Sequence, residues 1–563
     1  MGVPSDPEYK SAGQEVIGTI DTAPGVLEPI RTSQNIQAKY GQTKRGLSPR
    51  HVQLMAIGGS IGTGLFIGIG GVLSKAGPLS VFLGYLFWGI LFIWPTNLCV
   101  AEMCAYLPIR GSIFELASRF VDPAIGFAMG WTYFYAGVML VCVEYSAVAT
   151  VMSYWNEDIN PAAWIAMAMA VCIALNLVAV KWYGESEFIM ASTKVILLFG
   201  LVLLTIITMC GGNPKKDAYG FRFWKDGNAM HSYHSDGATG RFLGWWKVVI
   251  YAGFTIAGPD MICLSAGEIQ NPRRTIPRVA KLIFYRLVGF YVIGVLAVGI
   301  ICSSRDSRLL GALESDAAGA AASPWVIGIE NLGIDVLPHI INAAILLSGW
   351  SCGNAYLYSS SRTLYGLARD GQAPKFLLKC TKSGIPINCV GTVSLICCIT
   401  FMVASNSAVE VFYWFVDLTT TGLIATYTFM LLTFAGWYRA RKAQGLADSA
   451  LFYVAPLTPY SSWFALVLGC LAIFFIGFDA FKPFDVQSFI TCYFCIPYSL
   501  ILFAVWKVVK KTKWVDPAEA DLVSGKAEID AECKHWEEGG IEENYQRKLA
   551  EMPFAKRCWE RIW

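Results

Sequence analysis

Apolar runs of membrane-spanning length recur along almost the whole sequence. One extends from Phe188 through Val195–Met209, another covers Leu282–Ile301 and a third Phe464–Phe478. A helix crosses a hydrocarbon layer about 30 Å thick with about 20 residues. Inside that layer every backbone N–H and C=O must be bonded within the protein, so such runs commit a chain to helices. A β-barrel would alternate apolar and polar residues with period two, whereas these runs are continuous. Of the 563 residues 55% are apolar and 15% charged, and mean hydropathy is +0.48. That is too little charge for the surface of a soluble protein of this size.

The first five expected spans fall at 51–75, 79–106, 124–153, 163–181 and 187–210. The next five fall at 243–267, 281–302, 335–361, 388–405 and 411–437, and the last two at 461–480 and 486–508. The expected fold is an all-α polytopic membrane protein of twelve transmembrane helices, with a transporter domain over 46–513 and tails at 1–45 and 514–563. The first tail is polar and lacks the apolar core of a signal peptide, so the first span is expected to direct insertion. Lys and Arg collect in alternate short loops: Lys44, Arg45 and Arg50, then Arg110 and Arg119, then Arg273, Arg274 and Arg278, and later Lys507, Lys510 and Lys511. By the positive-inside rule both tails lie in the cytoplasm.

A net charge of +3 gives no reason to expect a nucleic-acid partner. The 17 cysteines are scattered through apolar runs without metal or disulfide spacing, which predicts buried free thiols, no metal and no cofactor.

Two spans are interrupted. The first holds Gly58-Gly59-Ser60-Ile61-Gly62-Thr63-Gly64-Leu65-Phe66-Ile67-Gly68 in mid-length. Gly64 and Gly68 have the spacing of a helix contact, but that many glycines point to local unwinding. Unwinding exposes backbone N–H groups at the start of a half-helix, whose partial positive charge binds carboxylates. No Lys-Ser/Thr follows the glycines and no strand precedes them, which excludes a phosphate-binding loop. The sixth span holds Phe254-Thr255-Ile256-Ala257-Gly258-Pro259-Asp260. Pro259 has no N–H, so the carbonyl of Thr255 is expected to lose its helical partner and face a cation. Breaks five helices apart fit a 5+5 inverted repeat with discontinuous helices 1 and 6, a mid-membrane site between them, and two further C-terminal helices. Donors from one break and acceptors from the other suit an amino acid zwitterion.

Further motifs accompany the breaks: Ala101-Glu102-Met103 with Leu107-Pro108-Ile109-Arg110-Gly111-Ser112, Gly267-Glu268 with Asn271-Pro272-Arg273-Arg274, and Ser361-Arg362-Thr363-Leu364-Tyr365-Gly366. In this order the chain resembles the fungal, yeast-type amino acid permeases of the amino acid–polyamine–organocation superfamily, over roughly residues 45–515. The resemblance implies a proton-coupled amino acid importer of the plasma membrane. It implies that Ser60, Gly62, Thr63 and Gly64 contact the substrate carboxylate. Phe254 and Ala257 would meet the amino group, with Phe254 also closing over the ligand. Where that family often has glutamate in the sixth span, this chain has Asp260, which adjoins the break and is expected to join the site.

Ionisable groups inside spans are functional candidates by default. Lys194 would stand, by the resemblance, where sodium-coupled relatives hold a cation, and it reads equally as a proton carrier or as a pin between helices. Glu144 reads as a coupling residue or as a helix–helix hydrogen bonder. Glu102 is a weaker coupling candidate, expected to pair with Arg110, and Glu268 is expected to meet Arg273 and Arg274. Ala147, Val148, Asn354, Trp414 and Thr419 are candidates for a side-chain pocket. His231 and His234, near Asp236, could hold a metal, although a solvated loop is the favoured reading. Lys526 and Lys534 offer modification sites through which trafficking or ubiquitylation machinery could act.

The function expected is import of neutral amino acids, proline included, by proton symport and alternating access. A non-transporting amino acid sensor of the same fold is the alternative. A membrane enzyme would need a clustered His, Asp, Glu or Ser constellation that this chain lacks, and a channel fits broken helices poorly.

Overall fold

The computed structural model describes residues 59–557 apart from 110–111, 157, 178–179, 226, 261–265, 267–268, 270, 315–322, 382–383, 539–546, 548 and 555–556. Among the described residues every regular element is a helix, and a lone bridge joins Phe481 and Phe484. In chain order they are α1 (Gly64–Ala76), α2 (Pro78–Tyr106), α3 (Ser112–Phe120), α4 (Pro123–Met152), α5 (Pro161–Leu177) and α6 (Val180–Met209). Then follow α7 (Gly237–Thr255), α8 (Pro272–Ile301), α9 (Ser307–Glu314), α10 (Pro324–Asn331) and α11 (Leu337–Arg369). The remainder are α12 (Ile387–Ala404), α13 (Ala408–Ala443), α14 (Tyr460–Ala480), α15 (Val486–Tyr493), α16 (Cys495–Lys510) and α17 (Lys526–Glu538).

Six of these segments among the described residues are long and apolar enough to cross a membrane: α2, α4, Ile189–Met209 of α6, α12, α13 and α14. The pair α15–α16, bent by 44°, makes a seventh if taken as one span. The described residues also hold helices at the other expected spans: α1, α5 over Pro161–Leu177, α7, which stops at the break after Thr255, and α8, with an apolar stretch described over Val288–Ile301. Helix α11 carries a polar stripe of Ser348, Ser351, Asn354, Ser359 and Ser360, all buried.

Helix α4 is the hub. Its most apolar stretch is wholly buried, and it packs on α3, α5, α11, α13 and α16. Its glycines allow this: a Cβ on Gly130 would come within 2.6 Å of Leu367, and one on Gly137 within 2.5 Å of the Ser360 hydroxyl, the close approach by which membrane helices gain packing energy. Asp122 caps its start, accepting from the Ala124 N–H at 2.7 Å, with Pro123 at the first helical position. Ile196, Phe199, Leu395, Phe474, Leu500 and Val508 are exposed on the outside, an apolar surface suited to lipid. The cysteines described are free, most of them buried.

Candidate functional site

Gly59 and Ser60 are helical, Ile61–Thr63 leave the helix, and Gly64–Gly68 resume as a π-helical turn. The interrupted backbone is satisfied by side chains from neighbouring helices, as a buried break requires. On α11, Cys352 donates to the Gly59 carbonyl at 3.2 Å and Ser348 to that of Ile61 at 3.1 Å. Tyr291 of α8 donates to Ser60 O at 2.5 Å, and Tyr251 of α7 to Gly64 O at 2.9 Å. Ser323, which precedes α10, takes Phe66 O at 2.7 Å.

The donor side of the break faces a carboxylate of the protein itself. Thr63 donates its backbone N–H to Glu144 Oε1 at 3.2 Å and Oε2 at 3.3 Å, and its hydroxyl to Oε2 at 2.9 Å. Glu144 is buried on α4 and Lys194 of α6 is fully buried near it, close enough to act on it electrostatically. Gly62 has no room for a side chain here, since a Cβ would stand 2.0 Å from Glu144 Oε1.

The second break follows α7. Ile256 leaves helical geometry and Gly258 has φ 149°, a conformation that favours glycine. In the turn the Ala257 N–H comes to the Thr255 carbonyl at 3.2 Å. The Thr255 hydroxyl meets Tyr85 OH at 2.9 Å. The Phe254 ring lies against the first break, where a Cβ on Gly64 would touch it at 2.8 Å.

Between the breaks lies a narrow cavity lined by Gly59, Ser60, Gly62, Gly64, Leu65, Leu140, Glu144, Phe254, Thr255, Ala257, Tyr291 and Cys352. Ser60, Gly62, Gly64, Phe254, Ala257 and Glu144 thus come together around this cavity. Thr63 stands just behind, on Glu144. Asp260 does not line the cavity. Its Oδ2 accepts from Tyr133 OH at 2.9 Å, and its Oδ1 from Tyr427 OH at 3.0 Å and the Gly258 N–H at 3.1 Å. It ties the second break to α4 and α13.

Glu102 lies apart from the site, near the far end of α2. Arg110 and Glu268, the expected partner of Glu102 and the expected neighbour of Arg273 and Arg274, lie outside the described residues; Glu102 accepts from Trp437 Nε1 at 3.2 Å and the Ala455 N–H at 2.8 Å, with Arg441 at 3.6 Å. Ala147, Val148, Asn354, Trp414 and Thr419 are not among the lining residues, and Asn354 accepts from Asn176 at 2.8 Å. Leu140, Tyr291 and Cys352 were not foreseen; a buried tyrosine and a cysteine in apolar helices carry no signal of which way they face. Among the described residues no group of His, Cys, Asp or Glu could hold a metal. His231 is buried rather than solvated, with Nε2 2.7 Å from the Ser304 hydroxyl.

Two interrupted helices closing on a cavity, within helices whose outer faces are apolar, are the arrangement of a multi-pass membrane protein with an internal cavity. Residues 51–516 match the family model for amino acid permeases, and the chain belongs to that family. It is 40% identical to a proline-specific permease of Emericella nidulans, over 93% of this chain and 94% of that one. It is 41% identical to a probable proline-specific permease of Schizosaccharomyces pombe, with 94% of each covered. A dicarboxylic amino acid permease of Saccharomyces cerevisiae is 38% identical, over 87% of this chain and 81% of that one.

Proposed function

We propose that the chain imports neutral amino acids, proline among them, by proton symport at the cavity between the two breaks. The observation that carries this reading is the Glu144 carboxylate on the N–H and hydroxyl of Thr63. A break that holds an internal carboxylate offers donors suited to a substrate's carboxylate. Glu144 has to give up those donors before a substrate can take them, and a proton on Glu144 would remove the charge that holds it there. Hydrogen bonds to a charged group are worth about 1.5–3 kcal/mol, enough to couple proton and substrate binding by roughly one to two orders of magnitude. The amino group would then lie toward Ala257 and Phe254, and Lys194 would balance the charge near Glu144. Leu65 and Leu140 give the cavity an apolar wall, which suits a neutral side chain such as that of proline, and the proline-specific relatives lend further support.

The cycle rests on the twelve-span, 5+5 inverted-repeat arrangement, with both tails cytoplasmic in a plasma membrane. Helices around the two breaks rock against the α4–α13 scaffold, and Phe254 closes over the ligand. The test is uptake of radiolabelled proline and competing amino acids in cells lacking their own permeases, at acidic and neutral pH, with and without an uncoupler. Saturable uptake that is faster in acid and abolished by the uncoupler is expected. Uptake indifferent to both overturns symport, and no uptake of any amino acid by protein present in the membrane overturns transport.

A further inference from the structure

After α16 the chain reverses at Lys511, which is left-handed at φ 49°, and residues 512–530 run across one end of the helix bundle. On one side they are fastened to the scaffold. Thr512 donates to Asp122 at 2.8 Å and the Val515 N–H to the Val121 carbonyl at 2.9 Å, both at the start of α4. Gln444, after α13, donates to the Ala520 carbonyl at 2.7 Å, and Arg119 of α3 to that of Ser524 at 2.9 Å. On the other side they reach the helices that flank the breaks. The Lys526 ammonium stands 4.7 Å from the centre of the Tyr106 ring at the end of α2. Asp530 of α17 pairs with Arg273 in the first turn of α8. Arg273 is itself buried, its guanidinium stacked 4.0 Å over the Phe452 ring.

Helices α3, α4 and α13 pack on one another, whereas α8 packs on α2, α6 and the π-helical turn of the first break. The segment therefore adds a link between α3, α4 and α13 on one side and α2 and α8 on the other, where α2 already packs on α13. Its attachments to α3, α4 and α13 combine main-chain hydrogen bonds, the Thr512 bond to Asp122 and an ion pair of Asp521 with Arg119 at 3.5 Å, while Lys526 and Asp530 reach α2 and α8 through their side chains at its outer end. A buried arginine left without its carboxylate is costly, so the Arg273–Asp530 pair resists separation of the two groups.

We propose that residues 512–530 form a detachable strap, and that the cavity opens toward this end of the bundle only when Asp530 releases Arg273 and Lys526 leaves Tyr106. This rests on the transport reading to the extent that a transporter's cavity must open at both ends.

Cys352, which lines the cavity, reports the opening directly. The experiment measures alkylation of Cys352 by N-ethylmaleimide in the purified full-length protein, by mass spectrometry of its peptide. The variants are Arg273→Asp, Asp530→Arg and the two combined. Each single reversal is expected to speed alkylation several-fold, and the double reversal to bring it back to the wild-type rate. Equal rates in all four proteins, or a double variant as fast as the singles, overturns the strap. Asp530 is 48% exposed, so Asp530→Arg leaves the core untouched and remains informative if Arg273→Asp does not fold. Alkylation needs no substrate, so a protein whose Cys352 responds as expected but which takes up no amino acid keeps the strap and loses the transport reading.

Discussion

Thr63 gives both its main-chain N–H and its hydroxyl to the Glu144 carboxylate, so these donors at the first break are taken by α4. Glu144→Gln keeps the shape of that side chain and removes its charge. The remaining amide oxygen accepts fewer and weaker bonds, a loss of about 1.5–3 kcal/mol, or roughly ten- to a hundred-fold in an equilibrium. The expected result is a protein that still binds substrate, measured by thermal shift, but whose uptake no longer rises in acid. Unchanged acid stimulation would take Glu144 out of the coupling.

Gly62 allows a sharper steric test. A Cβ there would fall 2.0 Å from Glu144 Oε1 and 3.0 Å from Cys352 Sγ, and the carboxylate cannot retreat without leaving Thr63. Overpacking a fitted site costs about 1–3 kcal/mol, so Gly62→Ala is expected to lower uptake by roughly five- to a hundred-fold in protein that still reaches the membrane. Gly200 of α6 is the control, since a Cβ there meets nothing within 4 Å. Gly200→Ala replaces a poor helix former by the best one, a gain of up to about 1 kcal/mol, and should transport normally with an equal or higher melting temperature.

The two breaks could be read from the sequence because glycine and proline act on their own backbone. The run Gly58–Gly68 and the pair Gly258-Pro259 disturb a helix wherever it packs, and Ser60, Gly62, Gly64, Phe254 and Ala257 come to the cavity with them. Leu140, Tyr291 and Cys352 could not be found the same way. In a membrane helix both the lipid face and the packed face are apolar, so hydrophobic periodicity does not say which side a residue takes. The contacts that Trp437 and Arg441 make to Glu102 from α13 could not be read either, since only tertiary packing creates them. The partners of Asp260 were hidden for a related reason: its place beside the break is plain in the sequence, but Tyr133 and Tyr427 hold it from two other helices.

Asp260 is therefore expected to separate stability from substrate affinity. It accepts three hydrogen bonds in a buried position, and deleting one donor to a buried carboxylate costs about 1.5–3 kcal/mol. Tyr427→Phe and Tyr133→Phe should each lower the melting temperature of purified protein by several degrees. Asp260→Asn should lower it further, because an amide cannot accept from both tyrosines and Gly258 as a carboxylate does. Substrate affinity, read as the dissociation constant of labelled proline, should stay close to wild type in the tyrosine variants, since neither ring lines the cavity. A large loss of affinity with unchanged melting temperature would return Asp260 and its tyrosines to the binding site.

His231 gives the fold a pH dependence outside the membrane-spanning helices. Burial, with the nearby charge of Arg305 adding to it, lowers the imidazole pKa to about 4, from an ordinary value of about 6.5. Its main-chain N–H donates to the Ala76 carbonyl at 2.9 Å, and its ring meets Ser304, so the loop joins the end of α1 to the segment after α8. Between the two pKa values the unfolded chain takes up a proton that the folded chain refuses, and stability rises with pH there. The stabilisation is fully present above about pH 6.5, falls as the pH drops, and is lost by about pH 4. His231→Gln keeps a hydrogen-bonding group toward Ser304 and removes the titration. Melting temperatures of the two proteins, followed across that window, should converge as the pH falls, because only the wild type loses this term. Parallel curves would mean that the imidazole is as free to take up a proton in the fold as in the unfolded chain.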